Sequence, residues 1–173
     1  MDRSFLPKER IMFTTTTSIL EDRTTTGRFD PSHTLDDLTI TELVRLATQA
    51  PTAFNLQNWS FIAVRSDGMK ERLVPLAYGQ RQVRDAAVTF IVCGALKAYP
   101  ALEERLQPSV DAGIITDSIK RTWVEMAASS HANNPQLQRD EAMRSASLAA
   151  MALMIAAREL GLDAGVLGGF DHE

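Results

Sequence analysis

The chain has 173 residues, of which 45% are hydrophobic and 23% charged, so it is long enough to build one globular domain around a buried core. Its net charge of -4 argues against nucleic acid or an anionic membrane as the main partner. The single cysteine excludes an intramolecular disulfide, and the scattered histidines lack the spacing of helical metal ligands, so we expect no metal site.

No targeting or membrane segment is visible in the sequence. Residues 1–19 lack the continuous apolar stretch of a secretory signal, and the longest apolar run, 148–157, is too short to cross a bilayer. We therefore expect a cytoplasmic protein that forms a single domain over residues 1–173. Residues 1–15, which are polar and mixed in composition, are expected to be a loosely ordered N-terminal extension.

The first half of the chain alternates predicted helices and strands. A short helix is predicted over 17–22. A second helix is predicted over 39–50, because Thr39 and Glu42 have the spacing of a capping box and apolar residues recur on one face. Pro51 is expected to end this helix.

Two predicted strands flank the next helix. Residues 59–65 alternate and are rich in aromatic and β-branched residues, which predicts a strand, while 66–68 predict a turn and 69–77 a helix. The apolar run 88–94 shows no clean alternation, which is typical of a central strand covered on both faces. Cys93, inside this run, is expected to be a buried thiol.

The second half of the chain is predicted to be mainly helical. Residues 100–118 give no clear pattern, because two prolines interrupt them. A helix is predicted over 119–130, a loop or the start of a helix over 131–136, and a long helix over 138–160 that ends before Gly161. Few strands and many helices predict an α+β domain.

The long predicted helix is apolar on every face between residues 148 and 157. Such a segment must be buried on all sides, either in the core of the domain or in an interface between subunits. Oligomerisation through this helix is therefore expected. Further along, residues 166–167 are strand-like and precede two glycines.

Three polar segments have the chemistry of a ligand site, although a solvated loop or turn is an alternative for each. RTTTGRF, residues 23–29, offers two guanidinium groups and three hydroxyls, which suit a phosphate. APTAFNLQNW, residues 50–59, offers Thr and Asn side chains and freed backbone amides beside large apolar residues. GVLGGFD, residues 165–171, contains paired glycines that let a ligand approach the backbone closely.

The sequence contains no motif for nucleophilic catalysis and none for the common phosphate-binding loops. GxGxxG and GxxxxGK[ST] are absent, and no serine lies in a nucleophile elbow. The adjacent acidic pairs at 36–37 and 103–104 are typical of solvated surface. If the chain is an enzyme, a cofactor carries its chemistry, and we expect no catalytic side chain.

In their order and spacing, these segments resemble the FMN-dependent nitroreductase family over 23–171. RTTTGRF follows in part the family's Arg-Arg-Ser-x-Arg-x-Phe-like stretch, and APTAFNLQNW is similar to its Ala-Pro-Ser-x-x-Asn-x-Gln-Pro-Trp-like motif. GQRQVRDAAVTFIVCG and the final Gly-Gly-Phe-Asp extend the resemblance. It implies an α+β sandwich with a central antiparallel or mixed sheet flanked by helices, assembled as an intertwined homodimer. The further C-terminal strand that family members usually have is expected to be missing here.

The resemblance also implies a small-molecule site with an FMN at each of two subunit interfaces. Its expected cofactor contacts are Arg23 and Thr25 at the phosphate, with Thr24 beside them; Pro51, Thr52, Ala53 and Asn55, from the other subunit, along the ribityl chain and ring; Gln82 at the pyrimidine edge; and backbone N–H groups near Gly168 and Gly169 facing N5 and O4. Gly27 stands where the family often has Arg or Lys near N1 and O2.

The reaction that the resemblance implies is a ping-pong transfer. NAD(P)H gives hydride to flavin N5, and a nitroaromatic, a quinone or a similar electron-poor acceptor then takes the electrons. Because Gly27 carries no charge, an alternative is a flavin-binding or partner-binding module of the same fold with weak or lost activity. A plain helical interaction protein would explain the apolar helix but not the ordered polar motifs.

Overall fold

The protein folds into seven α-helices around one two-stranded antiparallel sheet, within the residues 15–171 that this computed structural model describes. The elements, in chain order, are α1 (Thr15–Asp22), α2 (Asp37–Ala47), β1 (Trp59–Val64), α3 (Asp67–Leu76), α4 (Gln82–Asp85), β2 (Thr89–Gly94), α5 (Leu102–Asp111), α6 (Asp117–His131) and α7 (Pro135–Glu159). Two short 3₁₀ turns occupy Ala53–Asn55 and Tyr99–Ala101. The predicted N-terminal extension over 1–15 lies outside the described residues, apart from the first residue of α1.

Helix α2 begins two residues before the predicted start, so the capping box at Thr39 and Glu42 is wrong. Asp36 is the N-terminal cap, and its carboxylate accepts a hydrogen bond from the backbone N–H of Thr39 at 2.7 Å. An aspartate cap satisfies a free N–H group and also places negative charge at the positive end of the helix dipole. The helix ends at Ala47, before Pro51.

Two regions that the sequence predicts as turns or leaves without a pattern are helical. Asp67 and Gly68 belong to the first turn of α3, so only Ser66 of the predicted turn lies outside the helix. Helix α5 forms within the patternless region 100–118, with Pro108 inside it. Leu102 and Leu106 of α5 are almost completely buried, and this burial outweighs the hydrogen bond that the proline removes.

The two strands form a ribbon in which Trp59 lies opposite Gly94 and Val64 lies opposite Thr89. Gly94 packs against α7, since a Cβ at this position would lie 2.5 Å from the backbone oxygen of Ala142. The expectation that 88–94 is covered on both faces is wrong for the single chain. Helix α7 packs on the face that carries Phe90 and Gly94, whereas Ile91, on the opposite face, is exposed and Cys93 is only half-buried.

Two apolar clusters hold the helices together. One joins Leu56, before β1, to the buried leucines of α5 and to Ala127 of α6. The other joins Leu43 of α2 to Ala156 and Ala157 of α7, with Phe90 of β2 packed against it. The first cluster therefore joins α5 and α6 to the segment before β1, and the second joins α2 and β2 to the C-terminal end of α7.

Helix α7 is not buried on all sides within the single chain, so of the two alternatives predicted for 148–157, complete burial in the core of one chain is excluded. Its alanines face the interior, and Ala149 is fully buried, but Leu148 is 41% exposed. After α7, residues 166–167 form no strand; the segment makes only an isolated parallel bridge between Ala164 and Thr25. Among the described helices, none combines the length and the apolar character that crossing a membrane requires.

Candidate functional site

The arginine-threonine segment and the glycine-rich tail lie side by side. The backbone N–H of Thr26 donates to the carbonyl of Ala164 at 3.1 Å, beside the Thr25–Ala164 bridge. A Cβ at Gly165 would collide with the backbone oxygen of Thr26, so only glycine permits this close approach. The structure therefore brings together two of the three polar segments.

The tail continues to the loop between α3 and α4. Gln80 donates from Nε2 to the carbonyl oxygen of Gly169 at 2.8 Å and accepts a hydrogen bond from Gln82 Nε2 at 3.2 Å. Asp171 N donates to Leu76 O at 2.7 Å. Gln82, which the sequence predicts as a site residue, therefore reaches the tail through Gln80, which it does not predict. We call this assembly of residues 23–29, 80–82 and 164–171 the tail cluster.

The tail cluster holds hydrogen-bond donors without a partner among the described residues. The Arg23 guanidinium is half-buried yet makes no ion pair or hydrogen bond there, and neither does that of exposed Arg28. The Thr24 and Thr25 hydroxyls are likewise unpaired within the described part of the chain. Guanidinium and hydroxyl donors close together are the groups that bind a phosphate dianion.

One carboxylate, Asp30, follows the arginine-threonine segment. The Ser32 hydroxyl, at 2.7 Å, and the Ser32 backbone N–H, at 2.9 Å, both donate to it and hold its pKa below the usual range. Asp30 therefore stays ionised throughout the neutral range. Asp30 forms no ion pair with a described arginine, so its charge is stabilised by the hydrogen bonds from Ser32.

Gly27 and Gly168 both face open space. A Cβ at either position would meet nothing within 4 Å, and neither residue has the positive φ that favours glycine. Packing within the chain therefore does not require glycine at Gly168, whose backbone can be approached closely from outside. Gly27 brings no positive charge to this surface.

The third polar segment forms a strained loop, residues 51–57, before β1. Phe54, Asn55 and Gln57 all have left-handed backbones, with φ of 52°, 58° and 46°. Non-glycine residues in this region cost about 1–3 kcal/mol each and persist only where the surroundings enforce them. Within the loop, Thr52 Oγ1 accepts a hydrogen bond from the Gln57 N–H at 3.0 Å.

A pocket of ≈ 300 Å³ lies between this loop and the first half of α7. Its walls are formed by Pro51, Thr52 and Ala53 of the loop and by Glu141, Arg144, Ser145 and Leu148 of α7. Ser145 is 1% exposed, and its hydroxyl has no hydrogen-bond partner among the residues described. The sequence pattern gives no sign of Ser145, because it reads as one more small residue in a helix.

The tail cluster and the 51–57 loop lie at opposite ends of the ribbon. The loop leads into Trp59, opposite Gly94, whereas α4 precedes Thr89, opposite Val64. Five residue steps along a strand separate these ends by about 17 Å. No hydrogen bond or ion pair between described residues joins the two groups.

Comparison with known proteins assigns this architecture to a family. The sequence model of the Nitroreductase family matches residues 20–173, which is nearly the whole chain. The chain belongs to the nitroreductase family. Its α+β fold, with helices packed around a small antiparallel sheet, is the fold that the sequence resemblance predicts.

Individual relatives of this nitroreductase-family chain are similar over most of their length. "Putative NAD(P)H nitroreductase YodC" of Bacillus subtilis is 39% identical, covering 92% of this chain and 79% of the relative. A crystal structure of a putative nitroreductase from Exiguobacterium sibiricum in complex with FMN is 27% identical, with a TM-score of 0.85, covering 92% of this chain and 77% of that one. The structure of putative nitroreductase ydfN from Bacillus subtilis is 31% identical, with a TM-score of 0.82, covering 90% and 75%.

The predicted site residues of this family member fall into two sets. The tail cluster contains seven of them: Arg23, Thr24, Thr25, Gly27, Gln82, Gly168 and Gly169. The 51–57 loop contains the other set: Pro51, Thr52, Ala53 and Asn55. Gln80, which the sequence does not predict, helps to join the first set, and so does Gly165 of the glycine-rich segment.

Proposed function

We propose that this chain is an FMN-dependent oxidoreductase that takes electrons from NAD(P)H and delivers them to electron-poor acceptors, such as nitroaromatics or quinones, by a ping-pong mechanism. The observation that carries this proposal is the tail cluster, where unpaired arginine and threonine donors lie beside an open glycine backbone. FMN has a dianionic phosphate and a flat ring with a polar edge, so these donors suit it. The names of NAD(P)H nitroreductase relatives and the FMN-bound neighbour support the assignment.

Each part of the tail cluster has a proposed task. Arg23, Thr24 and Thr25 bind the phosphate, because a cation and hydroxyls can neutralise and orient it. Gln82 and the backbone N–H groups of Gly168 and Gly169 hold the polar edge of the ring. FMN, when bound, supplies the redox chemistry, while the protein supplies position and electrostatics.

We further propose that each site is built by two copies of the chain. In one copy the 51–57 loop and the α4 part of the tail cluster adjoin opposite ends of the ribbon, which is about 17 Å long. A two-fold rotation across the middle of α7 would bring the loop of one copy to the tail cluster of the other. Such a contact is isologous, so it would build two equivalent FMN sites.

Exposed apolar side chains supply a surface for this dimer. Met143 and Leu148 of α7 are 53% and 41% exposed. Large apolar side chains exposed on a helix are typical of interfaces. A dimer would also bury the apolar faces of α7 that the single chain leaves open.

The alternative function is a flavin-binding module of the same fold with weak turnover. Gly27 favours this module, because the position carries no charge and a Cβ there would meet no atom within 4 Å. A cation there would stabilise negative charge on a reduced ring. The two functions differ in turnover rather than in binding.

Visible spectroscopy of the purified protein, after saturation with FMN and removal of the excess, tests the proposed function. We expect a flavin spectrum with one FMN per chain, bleaching when NADH or NADPH is added anaerobically, and recovery of colour with a nitroaromatic or a quinone. Bound flavin that stays oxidised with both nucleotides would support the module instead. A colourless protein that does not retain FMN would contradict both functions.

A further inference from the structure

Arg105, in α5, uses its guanidinium on backbone carbonyls rather than on an acid. Nη1 donates to the carbonyl oxygen of Leu56 at 2.5 Å and to that of Ala98 at 3.1 Å. The side chain is half-buried and forms no ion pair with any described residue. A guanidinium carries several donors in a fixed, planar arrangement, so it can bind two backbone carbonyls at once, which few other side chains can do.

The two carbonyls lie on either side of the ribbon's Trp59–Gly94 end. Leu56 belongs to the 51–57 loop before β1, and Ala98 lies in the segment after β2. The same end is closed by the hydrogen bond from Ala95 N to Asn58 O at 2.8 Å. Arg105 therefore links the strained loop before β1 to the segment that follows β2.

The conformation of the loop needs such a restraint. Leu56 lies between two of the three left-handed residues, Asn55 and Gln57. The loop also makes apolar contacts from outside: Leu56 packs against Leu102 and Leu106 of α5, and the centroids of the Phe54 and His131 rings lie 6.3 Å apart in an edge-on arrangement. Arg105 supplies the polar restraint, and without it the loop carbonyl of Leu56 would lose its partner.

We propose that Arg105 is a positioning residue for cofactor binding, which acts by holding the 51–57 loop in its left-handed conformation. This inference rests on the proposed function, in which Pro51 to Asn55 contact the FMN bound by another copy of the chain. Arg105 itself touches the loop and not the cofactor. Its removal would lower the fraction of molecules whose loop is ready to bind, and the apparent affinity falls by that fraction.

The test replaces Arg105 with methionine, which keeps the length of the side chain and removes the donors. The control is Arg65→Met, because Arg65 also donates to a backbone carbonyl, that of Leu35, at 2.9 Å, and in addition pairs with Asp37, at the other end of the ribbon. Titration of apoprotein with FMN, followed by flavin fluorescence, should give a Kd about ten-fold weaker for Arg105→Met and within about two-fold of wild type for Arg65→Met. Equal affinities in the two variants would overturn the proposal.

A second substitution separates loop positioning from general destabilisation. Gln57 is exposed and left-handed, so Gln57→Gly removes the backbone strain at that position without removing a buried side chain. When Gln57→Gly is added to Arg105→Met, at least about a third of the lost FMN affinity should return, because glycine adopts the left-handed backbone without strain and the loop then depends less on Arg105. No recovery would mean that Arg105 acts through the stability of the domain, and would overturn the proposal. If Arg105→Met does not fold, Arg105→Lys takes its place in the same comparison.

Hydrogen exchange of the apoprotein provides a readout that does not depend on FMN. The amides of Asn55, Leu56 and Gln57 are hydrogen-bonded within the loop, to Thr52 and Ala53. Arg105→Met should speed their exchange by about ten-fold or more and leave β1 unchanged. Unchanged hydrogen exchange at these loop amides would overturn the inference about Arg105. If the wild-type protein binds no FMN, the proposed function is contradicted, but the exchange measurement still tests whether Arg105 holds the loop.

Discussion

Replacing Gly165 with alanine should damage both the fold and the FMN site, whereas the same change at Gly168 should damage only the site. A Cβ at Gly165 would collide with the backbone oxygen of Thr26, and backbone cannot rotate away as a flexible side chain can. The tail and the arginine-threonine segment must then separate. At Gly168 a Cβ meets open space, so the chain can accept it without moving.

The size of the effect follows from these contacts. Overpacking against a rigid neighbour costs about 1–3 kcal/mol, and loss of the Thr26 N to Ala164 O hydrogen bond adds about 0.5–1.5 kcal/mol. The lower chain entropy of unfolded alanine offsets about 0.4–1 kcal/mol of this. A net loss of about 2 kcal/mol in the free energy of unfolding corresponds to a Tm lower by about 4–8 °C for a chain of this length.

Thermal unfolding of the two apoproteins at one fixed protein concentration measures the stability, and FMN titration measures the site. Gly165→Ala should lower Tm and weaken FMN binding by about ten-fold, as Thr25 moves with its neighbour. Gly168→Ala should leave Tm within about 1 °C of wild type and still weaken FMN binding, because its methyl group occupies the surface where the ring edge is proposed to lie. Equal Tm values for the two variants would refute the packing argument, and unchanged FMN affinity in Gly168→Ala would refute its placement in the site.

Four further predictions concern separate parts of the chain. Asn55→Ala should reduce FMN retention on gel filtration more than Cys93→Ala does, and equal retention would count against a site at the 51–57 loop. Gly27→Lys should fold normally, because its side chain enters open space, and should raise the rate of anaerobic flavin reduction; a lower rate would contradict the proposed position beside the reduced ring. Leu106→Ala should cost about 2–5 kcal/mol in urea unfolding, since Leu106 is 1% exposed, and a loss below about 1 kcal/mol would show that this core is not tightly packed. The pKa of the Asp30 carboxyl, measured by NMR titration, should lie below the ordinary value of about 3.9, so its hydrogen bonds stabilise the fold above that pH and this stabilisation is lost as the pH falls through the lowered pKa. A pKa at or above about 3.9 would show that Ser32 does not donate to Asp30.

The sequence predicts α7 well because several local signals agree there. Gly161 marks its end and does adopt the positive φ of a C-terminal glycine, 73°, while the helix begins at Pro135, three residues before the predicted start at 138. The start of α2 is predicted less well, because Asp36 and Thr39 both have the chemistry of a cap. Helix α5 gives no pattern, since its proline interrupts the periodicity while tertiary burial of its leucines decides the structure.

Prediction of the site likewise succeeds where the signal is local and fails where contacts join distant parts of the chain. Short motifs identify the family and nominate Arg23, Asn55 and the paired glycines, because guanidinium, amide and open backbone groups can be recognised from the local sequence. No local signal reveals that Gln80 holds the tail or that Arg105 holds the loop, since each contact joins residues far apart in the chain. The burial of β2 is overestimated for the single chain, and the two alternatives for α7 stay open in the sequence, because hydrophobicity does not indicate which surface covers an apolar segment.

Hybrid dimers test most directly whether each FMN site combines two copies of the chain. One chain carries Arg23→Gln, which damages the tail cluster, and the other carries Asn55→Ala, which damages the loop; the two are co-expressed with different affinity tags and the hybrid is purified. A shared site predicts one FMN per hybrid dimer at wild-type affinity, because one of the two sites then receives intact Arg23 and intact Asn55. No wild-type site in the hybrid would contradict the account, since it would place both residues in the site of a single chain.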